Sequence, residues 1–219
     1  MKKIVLARTL LGLAVLMLIG ATALAEDNSK STITINGGRN TVYMKAPARA
    51  QAQKPPCTPG QFYDNICNGS VNIGSGWTIS DGSPINTEYT PAGQIIALKS
   101  GTTKRISVDV GFVTGKNRAV VDLDADCNGL PCGNADGSKH LCHGIVTKLY
   151  NFGSTIVTEN FKCVTKLTKG KPYWVFVASG ANSWLAWNLS AATGGLVEGT
   201  NDVWGTPSSG QSVGGLAIY

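Results

Sequence analysis

From Arg105 to Val113 the chain alternates. Ile106, Val108, Val110 and Phe112 fall on one side, and Ser107, Asp109 and Gly111 on the other. A period of two over that length predicts a strand with one buried face. Lys171–Ser190 is patterned differently. Tyr173–Ala178 and Trp184–Leu189 are rich in β-branched and aromatic residues, with the turn formers Ser179-Gly180-Ala181-Asn182 between them. This predicts a central hairpin with Gly180-Ala181 as loop residues. Trp174 would then pair with Trp187, and Phe176 with Leu185. Both faces of the hairpin are apolar, so the question is what covers the second face.

Shorter strands are predicted at Thr32–Ile35, Thr41–Lys45, Gln94–Leu98, Arg118–Leu123 and Val213–Tyr219. Gly144–Tyr150 and Ser154–Val164 flank Asn151-Phe152-Gly153 as a further hairpin. The Gly- and Ser-rich stretches Val71–Glu88 and Ala191–Gln211 read as irregular strands and surface loops. No amphipathic helix is evident. The expected fold is all-β: an antiparallel β-sandwich of jelly-roll type, stabilised by disulfides.

The N-terminus adds a compartment. Lys2, Lys3 and Arg8 precede the apolar run Leu10–Leu18, and Ala23-Leu24-Ala25 is a small-x-small cleavage site. Residues 1–25 are therefore expected to be a signal peptide, with a secreted, cell-surface or periplasmic destination. The apolar run is short for a membrane span, and no later one is long enough. Residues 26–60 read as an N-terminal arm and linker, Pro- and Ala-rich over Pro47–Pro59, and 61–219 as the sandwich domain. Losing the signal removes three cations. The net charge falls from +6 to +3, the balance of 16 Lys+Arg against 13 Asp+Glu. No basic stripe interleaved with aromatics is visible, so nucleic acid is not an expected partner.

All six cysteines, Cys57, Cys67, Cys127, Cys132, Cys142 and Cys163, follow the signal. An even number in an exported chain argues for disulfides. Six cysteines allow fifteen connectivities, and the spacing favours three local pairs. If Phe152-Gly153 turn a hairpin, opposed residues have numbers summing to 305, as Cys142 and Cys163 do. That register predicts a Cys142–Cys163 bridge, leaving Cys127–Cys132 and Cys57–Cys67.

The stretch Asp122–His143 is the richest in candidate chemistry. Asp124, Asp126, Asn128 and Gly129 copy the start of a calcium loop, but its twelfth position is Ala135 rather than Glu. Two readings stand: a solvated acidic loop, or a calcium site drawing on Asp122, Asp124, Asp126, Asn128 and Asp136. No other cofactor is expected. His140 and His143 beside Cys142 also suggest zinc, which an oxidising compartment disfavours. No Gly-x-Ser-x-Gly elbow occurs and no carboxylate pair is selected by spacing, so an enzyme is not expected. Among five tryptophans, Trp77 and Trp204 lie in Gly/Ser-rich stretches. They read either as core residues or as exposed rings on which a sugar stacks.

Three pieces resemble one family: Ala125-Asp126-Cys127-Asn128-Gly129-Leu130-Pro131, Leu167-Thr168-Lys169-Gly170-Lys171-Pro172-Tyr173-Trp174 and Trp184-Leu185-Ala186-Trp187-Asn188. Over residues 90–219 they are similar to exported bacterial β-sandwich domains of the choice-of-anchor type. The resemblance implies a fold and an extracellular setting, and it supplies no catalytic residues. The expected function is a non-catalytic binding module for a glycan or extracellular polymer. The alternative is a structural or adhesive extracellular protein that assembles with other chains, copies of itself among them, through the N-terminal arm.

Overall fold

The computed structural model describes residues 32–35, 42–45, 60–67, 71–83, 85–133, 140–153, 158–200 and 203–219. The proposed signal segment, Cys57 and Asp136 lie outside them. Every regular element among the described residues is a strand: β1 (Thr32–Ile35), β2 (Val42–Lys45), β3 (Tyr63–Asp64), β4 (Asn72–Asp81), β5 (Glu88–Ile96), β6 (Gly101–Thr102), β7 (Arg105–Gly115), β8 (Arg118–Ala125), β9 (Cys142–Thr147), β10 (Thr158–Lys162), β11 (Lys166–Leu167), β12 (Pro172–Ser179), β13 (Ser183–Thr200), β14 (Val203–Trp204), β15 (Ser208–Gly214) and β16 (Leu216–Ile218). All their ladders are antiparallel. The all-β, antiparallel, disulfide-braced expectation holds.

Neighbours run β3-β16-β7-β13-β4-β5-β12-β8-β9, with β10 also on β7, β14 and β15 on β13, and β2 on β4. The long strand β13 organises this order. Its first half pairs with β4 and β7, and its far half with β5 and β15. Register shifts after Asn188 and Leu189 mark the bend between the halves. A bent strand of this kind lets one segment serve two sandwich-like layers around one core. That core takes Ile79, Ile95, Val108, Val121, Leu123, Val175, Leu185, Trp187 and Leu216, all 0–1% exposed.

Three expectations change. First, β12 and β13 are not hydrogen-bonded to each other. β12 lies between β5 and β8, so Ser179–Asn182 carries the chain between separate pairings, and Trp174 faces Gln94 and Asp124 rather than Trp187. Asn182 takes the left-handed backbone of that turn, with φ at 57°. Both runs are apolar on both faces, so nothing in their pattern distinguishes a hairpin from a crossing. Second, the stretches read as irregular strands and surface loops contain long strands, β4 and the far half of β13. Trp77 on β4 is 1% exposed, and its Nε1 donates to Ser212 O at 2.8 Å. Close approach explains the glycines there. A Cβ on Gly76 would lie 2.9 Å from Trp187 O, and one on Gly214 would lie 2.1 Å from the Trp187 ring. Small residues here make room for indoles.

Third, Cys142 and Cys163 are bridged as expected, with α-carbons 5.5 Å apart, but not across a hairpin ladder. β9 pairs with β8, and β10 pairs with β7. Phe161 packs so closely on Gly144 that a Cβ there would lie 2.0 Å from its ring. The disulfide therefore ties two strands with different ladder partners. Cys127 and Cys132 also form their expected bridge. Cys67 is disulfide-bonded, and its predicted link to Cys57 lies outside the described residues. Among the described residues, no helix is long and apolar enough to cross a membrane.

Candidate binding site

Strand β8 alternates across the sheet. Val121 and Leu123 enter the main core, so Asp122 and Asp124 must emerge on the opposite face. The ladders set partners beside them. Val197, Ala92, Phe176, Asp122 and His143 form one lateral row across β13, β5, β12, β8 and β9. Gln94, Trp174 and Asp124 form the next row. Ala92, Trp174, Phe176 and Val197 pack there as a second, smaller apolar cluster, joined by Leu130 and Trp204. This cluster answers what covers the other face of β12. Phe176 is fully buried, with His140 edge-on at 4.9 Å between ring centres and Trp204 at 5.2 Å.

The acidic residues hold this cover in place. Asp122 and Asp124 are 0% and 1% exposed. Asp122 Oδ1 lies 2.7 Å from His143 Nδ1, and His140 Nδ1 makes a short contact with Asp124 Oδ1. His140 Nε2 lies 4.0 Å from Asp122 Oδ2. Asp124 Oδ2 accepts from Gly133 N at 2.8 Å. Asp126 accepts from Trp174 Nε1 at 2.7 Å, Gln94 Nε2 at 3.0 Å and Gly129 N at 3.1 Å. Burial pushes the Asp122 carboxyl up to about 6, against the pull of the two histidines. The calcium-like spacing thus has another use here, since Asp124 and Asp126 are turned toward N–H donors. Asn128 is exposed in left-handed backbone, with φ at 58°. No group of three or more His, Cys, Asp or Glu among the described residues is arranged to hold a metal ion.

The two candidate tryptophans separate. The reading of Trp77 as an exposed ring is corrected, because a ring 1% exposed has no face to offer a ligand. Trp204 is half-buried at the surface, on strand β14. Its Nε1 donates to Gly133 O at 2.7 Å, so both the hydrogen bond and the Phe176 contact fix the ring. Gly133 adjoins Cys132, whose bridge to Cys127 closes the loop below. Exposed Val203, Gly205, Thr206 and Pro207 flank the indole. The sequence reading missed Phe176, Trp174, Gln94 and His140 as parts of this face. One signal was available: Asp122 and Asp124 alternate with Val121 and Leu123, which marks a strand with a polar outer row rather than a loop.

No protein-family model, curated protein or solved structure matches the chain significantly.

Proposed function

We propose that the protein is an exported, non-catalytic binding module that recognises a carbohydrate or surface polymer, with Trp204 as its principal contact. The observation that carries this reading is the combination of partial exposure and fixation at that one ring. A flat aromatic face held by a hydrogen bond and an edge-to-face contact has already lost the rotamer freedom that binding would otherwise have to remove. The disulfides suit an oxidising destination, the cell surface or the periplasm. The resemblance proposed from the sequence to choice-of-anchor domains would imply the same setting. Retention of the protein on a panel of insoluble polysaccharides tests the reading. Trp204→Ala should weaken retention tenfold or more, about 1.4 kcal/mol, while the far-ultraviolet circular dichroism stays β-dominated. Equal retention of variant and wild type on every polymer rejects Trp204 as the contact.

A second reading rests on the arm. β1 and β2 pair as a hairpin, and β2 adds to β4 through Tyr43↔Trp77, Met44↔Gly76 and Lys45↔Ser75. The same ladder formed with a neighbouring copy would build a structural assembly. Mass that rises with concentration, and that falls back on deletion of residues 26–45, would favour it.

A further inference from the structure

Segments 97–105 and 162–171 run side by side as a continuous ribbon. Cys163 N donates to Lys104 O, and Thr103 N to Thr165 O. Lys166 pairs with Thr102 and Leu167 with Gly101 in the ladder of β6 and β11. Lys169 N bonds Ser100 Oγ, and Ala97 exchanges backbone bonds with Gly170 and Lys171. Thr103 pins the ribbon from beneath. It is 0% exposed, and its Oγ1 donates to Cys163 O and Thr165 O. Cys163, held by its disulfide, and Leu167 are buried on the same inner side.

The outer side is strongly cationic. Lys104, Arg105, Lys162, Lys166, Lys169 and Lys171 are all exposed, and neither segment contains an Asp or Glu. The only ion pairs among the described residues join histidines to Asp122 and Asp124, far along the chain from these groups. Lys162 stands directly opposite Arg105 in the β7–β10 ladder. Like charges so placed are unfavourable to the fold. A seventh cation, Lys99, lies over the Phe62 ring and bonds Gly60 O. Of the 16 Lys+Arg after Ala25, seven belong to this ribbon, leaving nine against 13 Asp+Glu elsewhere. The charge is therefore concentrated rather than spread. Large apolar side chains are exposed in the same place: Leu98 at 62% and Val164 at 58%, with Ile96 at 48% just before the ribbon.

We propose that this ribbon docks the protein on an anionic lipid surface. Phosphate headgroups meet the five exposed lysines, Arg105 lying over the Tyr219 ring, and Leu98 and Val164 enter the interfacial layer. Charge alone would serve any polyanion. The exposed apolar residues among the cations favour an amphiphile, because burying them in the headgroup layer adds a hydrophobic contribution that a soluble polymer does not provide.

Flotation of the exported chain with two kinds of vesicle tests this, one of phosphatidylcholine alone and one also containing phosphatidylglycerol. The protein should float only with the anionic vesicles and should be released as salt rises toward 1 M, where screening acts within about 3 Å. Each lysine near such a surface is worth roughly fivefold in binding. Lys166→Glu with Lys169→Glu should therefore weaken flotation by about 25-fold or more, with an unchanged thermal melt. Leu98→Ser with Val164→Ser should weaken flotation but leave retention on soluble dextran sulfate unchanged. Absence of binding to anionic vesicles overturns the proposal. So does an apolar double variant that floats like wild type, which would assign the cations to a soluble polyanion. Trp204→Ala should float normally, so this surface and the proposed glycan contact fail or stand separately.

Discussion

Replacing Asp109 by Asn should stabilise the protein at neutral and alkaline pH and flatten its pH dependence. Asp109 is 1% exposed, and its Oδ1 accepts from Asn188 Nδ2 at 3.0 Å. Asp109 Oδ2 and Asn188 Oδ1 have no hydrogen-bond partner among the described residues. Burial pushes the carboxyl up to about 7, and the Asn188 bond only partly opposes it. Protonation gives Asp109 a donor that complements the unmatched Asn188 oxygen. A carboxyl whose pKa rises on folding contributes stability that is complete below its unfolded value, near 4. That contribution falls as pH climbs and is gone above about 7. At about 1.4 kcal/mol per pH unit, the loss over this window is on the order of 4 kcal/mol. Asn keeps the shape without ionising. Urea melts at about pH 5 and about pH 8 should show the wild type losing stability at the higher pH. The variant should lose less, gaining on the order of 2–4 kcal/mol relative to wild type at about pH 8. Asp122, raised to about 6, and Glu198, raised to about 7, titrate in both proteins and drop out of the difference. Parallel pH profiles for the two proteins would refute the reasoning.

Other substitutions test the packing. Phe176→Ala should cost about 3–5 kcal/mol in denaturant melts, because Phe176 is fully buried within the second cluster. Trp77→Ala should cost a similar amount, about 3–5 kcal/mol, and a near-neutral result would mean the ring is not in the core. Removing the bridge by Cys142→Ser with Cys163→Ser opens a link between residues 21 apart and should cost about 3 kcal/mol. Non-reducing peptide mapping should recover Cys127–Cys132 and Cys142–Cys163, and a Cys132–Cys142 peptide would contradict the fold.

The strand at Arg105–Val113 was legible because Ile106, Val108 and Val110 alternate with Ser107 and Asp109, but its expected single buried face is corrected, since Ser107 and Asp109 are 0% and 1% exposed as well. The ladder partners were not legible. Tyr173–Ala178 is apolar on both faces because its two rows meet two apolar clusters, and Trp184–Leu189 carries a similar run of apolar residues; such runs do not encode a register. The Cys142–Cys163 bridge was expected from a hairpin ladder that is not formed among the described residues; there Phe161 packs on Gly144 instead. Glycine misled the reading of Trp77 and Trp204 together. At Gly76 and Gly214 it answers the bulk of Trp187, and of these two candidate rings Trp204 reaches the surface while Trp77 does not. The basic ribbon was hidden for a simpler reason. Its two segments lie about sixty residues apart in the chain, and only their backbone pairing brings the lysines together.

The binding face can be tested at one atom type. The five tryptophans, all after residue 25, give five indole N–H resonances in a nitrogen-15 spectrum of residues 26–219. Titration with a soluble fragment of whichever polysaccharide retains the protein should shift the Trp204 indole. The indoles of Trp77, Trp174 and Trp187, each no more than 1% exposed, should stay where they are. A stationary Trp204 resonance under saturating ligand would contradict the assignment of the binding face.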